Sequence, residues 1–385
     1  MTRRAIENLV IGGGPAGSMA ALRLAESGRD VVLVEKERGP HHKVCGEFLS
    51  GEAVAYLQEA GIDLHALGAR TIGQVRLHSG QRAVEALLPF RAMSLSRCAL
   101  DEAMLTRARV AGCAARRGVV VASLTREGEL WRADVRGGEP IWARAVFLAT
   151  GKHEVRGWPR GRGTQPDLVG FKMHWKLRPK QSSALRGVME LFLFTGGYGG
   201  MSLVEGDAVT LCFVIQRKRL QQAGGWARVL QTIRDSNRCL QERLEGAEAL
   251  YEKPLAISPI PYGYLGGEDR GVWCVGDQAA VIPSFTGDGM SIALHSAALA
   301  VQMYVAGQSI AEFNDTLRAQ LRPNMRLASW LSRMMVSGAG RRLAPMVLTV
   351  APRGLRWIAG RTRIQDRALA AIRESTRSVA AVRPA

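Results

Sequence analysis

Residues Leu9 to Gly17 read Leu-Val-Ile-Gly-Gly-Gly-Pro-Ala-Gly; a helical stretch follows, and Val31 to Glu35 then reads Val-Val-Leu-Val-Glu. This order predicts a strand, a glycine turn, a helix and a second strand that ends in an acid. Each glycine of Gly12-x-Gly14-x-x-Gly17 meets a separate demand of dinucleotide binding: Gly12 permits the tight turn, Gly14 lets backbone approach a pyrophosphate, and Gly17 lets helix pack on strand. Pro15 and Ala16 open the helix, whose N-terminus offers free N–H groups and partial positive charge to that phosphate. Glu35, 18 residues after Gly17 and followed by Lys36, stands where a carboxylate accepts hydrogen bonds from both hydroxyls of an unphosphorylated ribose. The pattern suits FAD or NAD and not NADP.

At 385 residues the chain is long enough for two domains, or for one large domain with an insertion. Six cysteines are scattered without a C-x-x-C pair and seven histidines show no zinc-like spacing, so neither a metal site nor a disulfide framework is expected. The start, Met-Thr-Arg-Arg-Ala, leads straight into the first strand without the apolar region of a signal peptide, and a reducing, cytoplasmic setting is expected. The net charge of +18 is unevenly placed: from Arg322 onward, thirteen arginines and two acids leave +11. Nucleic acid and anionic lipid are both physically possible partners for such a surface.

Beyond the first unit, 72–78 and 82–88 read as a strand pair, and Ser96 to Gly112 as a helix with Ser94 or Ser96 as its cap. Val119 to Leu124, Trp131 to Val135 and Ala145 to Thr150 read as a small meander returning to the main sheet. From Asp167 to Ile257 the texture changes to longer strands joined by Gly-rich turns, which predicts a separate antiparallel sheet. The first texture resumes at Gly271, and the chain beyond 309 reads as wholly helical. Leu343 to Val350 is apolar but too short to cross a bilayer.

Three further segments point to a flavin. Ala149-Thr-Gly151 is a strand-end turn where backbone passes under the dinucleotide. At Gly276-Asp277 a second strand ends, with a carboxylate suited to the ribityl chain. Pro283 to Gly289 leads into a helix near Met290, whose N–H groups suit negative charge at the flavin N1 and C2 carbonyl.

At these residues the chain resembles FAD-dependent oxidoreductases with the fold of p-hydroxybenzoate hydroxylase, close to their geranylgeranyl reductase-like branch. The resemblance spans nearly the whole length. It includes Lys43 to Glu47 (Lys-Val-Cys-Gly-Glu), Ser96-Arg97 with Leu100-Asp101, and Gly196 to Gly200 (Gly-Gly-Tyr-Gly-Gly). It implies an α/β architecture: a discontinuous Rossmann-type FAD-binding domain (1–70, 94–165 and 258–308), an inserted antiparallel substrate sheet (71–93 and 166–257) and a basic helical C-terminal region (309–385). It also implies that Arg97 contacts the FAD backbone, Glu35 the adenosine ribose, Asp277 the pyrophosphate or ribityl chain, and Gly287, Asp288, Gly289 and Met290 the isoalloxazine. Cys45 would line the catalytic cavity, Lys43 approach the flavin and Tyr198 position a substrate.

The chain departs from aromatic hydroxylases where they carry Gly-x-Asp-Gly: here Ala149 to Arg156 holds no aspartate. It also lacks the Trp-x-Trp-x-Ile-Pro segment of halogenases, which disfavours halogenation, and it lacks a second glycine fingerprint for a resident nicotinamide. Electrons then come from transiently bound NADPH or NADH, from a separate reductase, or from the substrate. The leading expectation is hydroxylation of a phenolic or polyketide-like lipid. The alternative is reduction of alkene bonds in a polyprenyl compound, and a flavin-dependent RNA-modifying protein is a remote third. Only Trp330 and Trp357 accompany the terminal arginines, so no nucleic acid partner is expected. Arg361, Arg363, Arg367, Arg373 and Arg377, interleaved with Ile364, Ala368, Leu369 and Ile372, suit peripheral attachment to the inner face of an anionic membrane.

Overall fold

The protein's structure, a computed structural model, describes residues 5–338, 353–361 and 363. Its first layer grows from β1 (Ile6–Ile11), whose inner residues Asn8 to Ile11 are buried. A strand with both faces covered belongs inside a parallel sheet. It pairs in parallel with β2 (Val31–Glu35) on one side and β9 (Ile141–Leu148) on the other, so that Leu9 stands opposite Val32 and Val146. The crossover between β1 and β2 is α1 (Pro15–Glu26), which buries Met19, Ala20, Leu22 and Leu24 against α3 (Arg97–Val110) and α8 (Gly289–Val305). The meander β7 (Val121–Glu127), β8 (Leu130–Val135) and β9 returns to this sheet as the sequence predicts. Ser96 caps α3, its hydroxyl accepting from Ala99 N at 3.1 Å. Two members escape pattern reading. β6 (Ala114–Arg117) is an edge strand of Ala-Ala-Arg-Arg beside β2, and β17 (Trp273–Cys274) adds two residues beside β9.

The second sheet follows the order β14-β10-β13-β12-β11-β4-β5-β3. It joins β3 (Phe48–Leu49), β4 (Arg70–Ser79) and β5 (Arg82–Ser94) to β10 (Leu168–Lys176), β11 (Gly187–Phe194), β12 (Gly197–Leu203), β13 (Val209–Gln216) and β14 (Glu248–Ala249). β15 (Leu255–Ile257) also pairs with β10. The expected antiparallel order holds except at one junction, where β4 and β11 run parallel. That pair is joined by a long excursion through the first domain, and only such a crossover can bring two strands together in parallel.

Alternation gives this sheet two faces. Phe192, Phe194, Met201 and Phe213 pack on one side beneath α5 (Arg217–Ala223), α6 (Trp226–Ser236) and α7 (Arg238–Arg243), three helices within the stretch read from sequence as strands. Trp226 stacks on Phe213 at 5.1 Å, and α6 buries Val229, Leu230 and Ile233. Leu77, Leu193, Tyr198 and Val214 face the other way, toward Tyr262, Val281 and Met335. This second face is closed by α9 (Ile310–Val336), which begins with a Ser309/Glu312 capping box, and by α10 (Arg353–Arg361), which packs on β5. Arg361 lies in α10 and Arg363 just beyond it; Leu343 to Val350 and the remaining residues of the expected membrane-binding stripe lie outside the described residues. Among the described residues, no helix is long and apolar enough to cross a membrane.

Candidate cofactor and substrate site

The glycine turn is shaped by close backbone approach. A Cβ on Gly12, whose φ is +111°, would run into the Ala149 carbonyl, and one on Gly17 would run into the carbonyl of Gly12. Helix α1 then starts with no side chain capping it and Pro15 in its first turn. Its free N–H groups and partial positive charge are left for a ligand anion.

Two cations gather at the same point. The position where Gly14 lacks a side chain lies 3.3 Å from Arg97 Nη2 and 3.8 Å from Lys43 Nζ. Both are held by one carboxylate: Arg97 donates from Nε and Nη2 to Asp101 at 2.7 and 2.9 Å, and Lys43 Nζ lies 3.0 Å from Asp101 Oδ2. Burial works against the Arg97 charge, but the charge and hydrogen bonds of Asp101 outweigh it and raise the arginine's pKa. Asp101 shifts down for the converse reason: burial is outweighed by Arg97 and Lys43. An uncapped helix N-terminus with two fixed cations fits a pyrophosphate.

Glu35 is buried and accepts from Gly13 N at 2.6 Å and Glu37 N at 3.0 Å, which fixes the carboxylate at the end of β2. Lys36 is exposed. Gly276 meets α1 so closely that a Cβ on it would lie 2.8 Å from Ala16 Cβ. The Gly151 carbonyl accepts from Gln278 Nε2 at 2.8 Å and from Arg160 Nη1 at 3.0 Å, while Asp277 pairs with Lys152 at 2.9 Å. Three separated stretches, 12–17, 149–151 and 276–278, thus converge on one line.

At the far end of that line, Gly46, Phe48 and Ser284 to Gly287 border an apolar cavity of about 180 Å³ against the second sheet. Val75, Leu77, Leu191 and Leu193 form its floor, and Leu331, Met335 and Ile358 its cover. A Cβ on Gly287 would strike the Phe48 ring. Asp288 is buried and pairs with Arg363, which also lines the cavity and lies 4.1 Å from the centre of the Phe90 ring. Gly289 starts α8, and Met290, next in that helix, is buried in the core.

Of the three residues expected to be catalytic, Lys43 and Cys45 both lie by the Arg97–Asp101 pair, and Tyr198 stands apart from them in the cavity wall. Lys43 stands with Asp101 at Gly14, at the pyrophosphate end. Half-buried Cys45 receives a hydrogen bond from Glu47 N at 3.3 Å. Tyr198 lies in the cavity wall, its hydroxyl 3.5 Å from Ser332 Oγ, and burial raises its pKa.

Between the two ends sits a buried ion cluster to which no role was assigned from sequence. Glu47, fully buried with φ +57°, receives Lys172 Nζ and Arg97 N (2.8 Å) on Oε1, and His174 Nε2 lies 2.7 Å from Oε2. Burial pushes the Glu47 pKa up, but the hydrogen bond with His174 and the Lys172 charge outweigh it, to about 2. His42 packs edge-on against His174 at 4.8 Å, and burial and the Lys172 charge lower its pKa. Although His42, Glu47 and His174 lie close enough to share a metal, both carboxylate oxygens are already engaged. A second cluster ties Glu190, with its pKa near 2, to Arg76, Arg243 and His78 across β4, β11 and α7. There too burial is the largest influence and is overcome by its partners. The signal for the first cluster is visible in the sequence of β10: Lys172 and His174 share one face of an otherwise apolar strand.

Residues 5–145 match the family described as FAD binding domain. The chain is 25% identical over 324 residues to the menaquinone reductase of Mycolicibacterium smegmatis, covering 78% of this chain and 76% of that one. It is 26% identical over 347 residues to an Escherichia coli protein named "Probable electron transfer flavoprotein-quinone oxidoreductase YdiS", covering 81% and 79%. Among solved structures, the flavin-dependent brominase Bmp2 superposes with a TM-score of 0.76 at 17% identity, covering 99% of this chain and 100% of that one. The myxobacterial chondrochloren halogenase CndH gives 0.75 at 19%, covering 98% and 97%. The protein is an FAD-dependent enzyme. Its fold is that of the flavin-dependent halogenases it superposes on, with an FAD-binding domain at the N-terminal end.

Proposed function

We propose that the protein reduces a lipophilic quinone-type or polyprenyl compound held in the apolar cavity. When bound, FAD supplies two-electron reduction. The residues that would hold it are the 12–17 turn, Glu35, Arg97, Lys43 and the 276–278 and 287–289 segments.

The observation that carries this reading is the chemistry of the cavity wall. Phenol hydroxylation needs a ring made electron-rich by loss of its proton. Among the described residues, the titratable ones in the lining are Tyr198, with its pKa raised by burial, Cys212, pushed up to about 12 by burial, and Arg363, paired with Asp288. None of these takes a proton at neutral pH. Apolar walls instead exclude water and orient a ring, and an apolar cavity of roughly 150 Å³ is known to hold a benzene-sized molecule. The cavity thus suits a quinone or prenyl head; of these, only the polyprenyl compound, with reduction of its alkene bonds, was an alternative in the sequence. The names of the two curated relatives, a menaquinone reductase and a quinone oxidoreductase, support the same substrate class.

The entrance supports delivery from a membrane surface. Ile358 and Ala359 line the cavity from α10, while Trp357 on the same helix is 55% exposed with Arg361 5.6 Å from its ring centre. Electrons come in this scheme from NADH or NADPH, bound transiently.

The test is anaerobic. Holoenzyme reduced with dithionite is mixed with a short-tailed menaquinone in a stopped-flow cell. Return of the oxidised flavin spectrum with formation of reduced product supports the proposal. Reoxidation only after oxygen is admitted, with oxygen incorporated into a phenolic substrate, replaces it with hydroxylation.

A further inference from the structure

Reduction of a quinone or of an alkene adds a hydride and a proton. The hydride carries both electrons, and the proton comes from solvent into a cavity whose apolar walls exclude water. The described lining residues are poor sources of it: burial raises the pKa of Tyr198 and of Cys212, and Arg363 keeps its proton. The neighbouring strands hold a better one. Gly200 of β12 and Cys212 of β13 line the cavity and stand opposite each other, and Cys212 in turn stands opposite Lys172 of β10. The next row on the same face is Ser202, Thr210 and His174. The ion cluster on Glu47 therefore continues the cavity wall, and Gly46 and Phe48, on either side of Glu47, line the cavity as well.

The same cluster reaches the surface. His174 Nε2 lies 2.7 Å from Glu47 Oε2, and a nitrogen of His42, a nitrogen of His174 and a carboxylate oxygen of Glu47 lie within 4.8 Å of one another, a span that one water bridges. His42 is half-buried, as is Tyr251, whose ring packs on His42 and His174 at 5.2 and 5.3 Å. Four polar atoms here are buried without a hydrogen-bond partner among the described residues: His42 Nδ1, Tyr251 OH, Thr210 Oγ1 and Ser202 Oγ. Thr210 is 1% exposed and Ser202 0%. Buried polar groups are seldom left unpaired, and ordered water is what completes them. Lys172, His174, Glu47 and Glu205 are the groups whose charge bears on His42, and Cys98 is a further titratable group beside Tyr251.

We propose that the Glu47 cluster is the proton inlet of the reduction, an inference that rests on the reductive reading above. His42 takes a proton from solvent and passes it to His174. Lys172 Nζ, in the cavity row, gives its proton toward the substrate atom that hydride addition leaves without one, a quinol oxygen or an alkene carbon. It recovers a proton from His174 across the Glu47 carboxylate, which both side chains hold. The substrate is reduced, the cofactor is oxidised, and one proton enters at His42 for each that leaves at Lys172. An ammonium gives a proton and cannot accept one, so the inlet serves reduction and not the deprotonation of a phenol.

The test uses FAD-loaded protein and two readouts. In the first, NMR of protein with isotopically labelled histidine follows exchange of the His174 ring proton with solvent, which should slow about tenfold or more in His42→Gln. In the second, reduced protein is mixed anaerobically with a short-tailed menaquinone. Reoxidation of the wild type should be about twofold slower in deuterium oxide, and that of His42→Ala about tenfold slower than wild type in ordinary water. Flavin content and quinone affinity of His42→Ala should be unchanged, and added imidazole should restore its speed. His65→Gln, at an exposed histidine, should match the wild type in both readouts. Unchanged exchange at His174 overturns the inlet, and so does wild-type speed in His42→Ala or a slowing that imidazole does not relieve. A wild type that menaquinone fails to reoxidise rejects the proposed reduction instead, and the exchange measurement still decides whether protons enter through His42.

Discussion

The two ends of the cofactor line are built by opposite means. At the pyrophosphate end, backbone does the shaping: two glycines admit carbonyls where any side chain would collide, and the cations Arg97 and Lys43 are set on a helix and a loop within the first hundred residues. At the cavity end, the surface is made by residues from 46–48, 75–88, 189–200, 284–287, 331–335 and 358–359 and by Arg363, brought together only by the fold. Backbone demands leave a mark in local sequence, whereas tertiary apposition leaves almost none.

Four substitutions or conditions probe that division, beginning with the largest effect. Lys172→Met leaves Glu47 buried without its ammonium, and breaking such a pair costs about 3–5 kcal/mol. Chemical denaturation should show this loss while FAD still binds in the cold. An unchanged midpoint would mean that the ion cluster is no part of the frame between the two ends. Gly14→Val puts a side chain against Arg97 Nη2, and about 100-fold weaker FAD binding, near 2.7 kcal/mol, is expected with the chain still folded. The readout is flavin absorbance after dialysis, and a yellow variant would contradict the placement of the pyrophosphate.

Acid is the third probe. Glu47 and Glu190 each fall from 4.5 to about 2 in the folded chain. A carboxylate with a depressed folded pKa stabilises above its unfolded pKa, and that contribution drains away as pH drops toward the folded value. Melting temperature should therefore hold down to about pH 5 and fall steeply between pH 4.5 and 2. Lys172→Met should flatten that fall. The smallest effect belongs to Tyr198→Phe, which removes a long 3.5 Å hydrogen bond at the cavity wall. Stability should change by less than about 1 kcal/mol and FAD affinity not at all, with KM for the substrate as the parameter that moves.

The division also explains what could be read in advance. The β1-α1-β2 unit, the Ser96 cap, the meander and the long strands of the second sheet follow from glycine spacing, capping chemistry and alternation. α5 to α7 were hidden because helices that cover a sheet bury few residues of their own; α6 shows only Val229, Leu230 and Ile233. The parallel β4–β11 junction had no local signal, since its partners lie more than 90 residues apart. Glu47 closes the Lys43 to Glu47 segment, but its partners Lys172 and His174 sit about 125 residues away. A charged pair on one face of a buried strand is the pattern that would have found them. Lys43, read from the resemblance as approaching the ring, stands in the structure beside Gly14 because Asp101 holds it there.

Substrate sits, in this proposal, in the apolar cavity next in line to a bound FAD. Titrating holoenzyme with a short-tailed menaquinone while recording the flavin difference spectrum tests it directly. The wild type should give a saturable perturbation, and Leu191→Trp, which fills the cavity floor, should bind FAD equally well yet weaken the quinone by about tenfold or more. Equal quinone affinity in both proteins would contradict it.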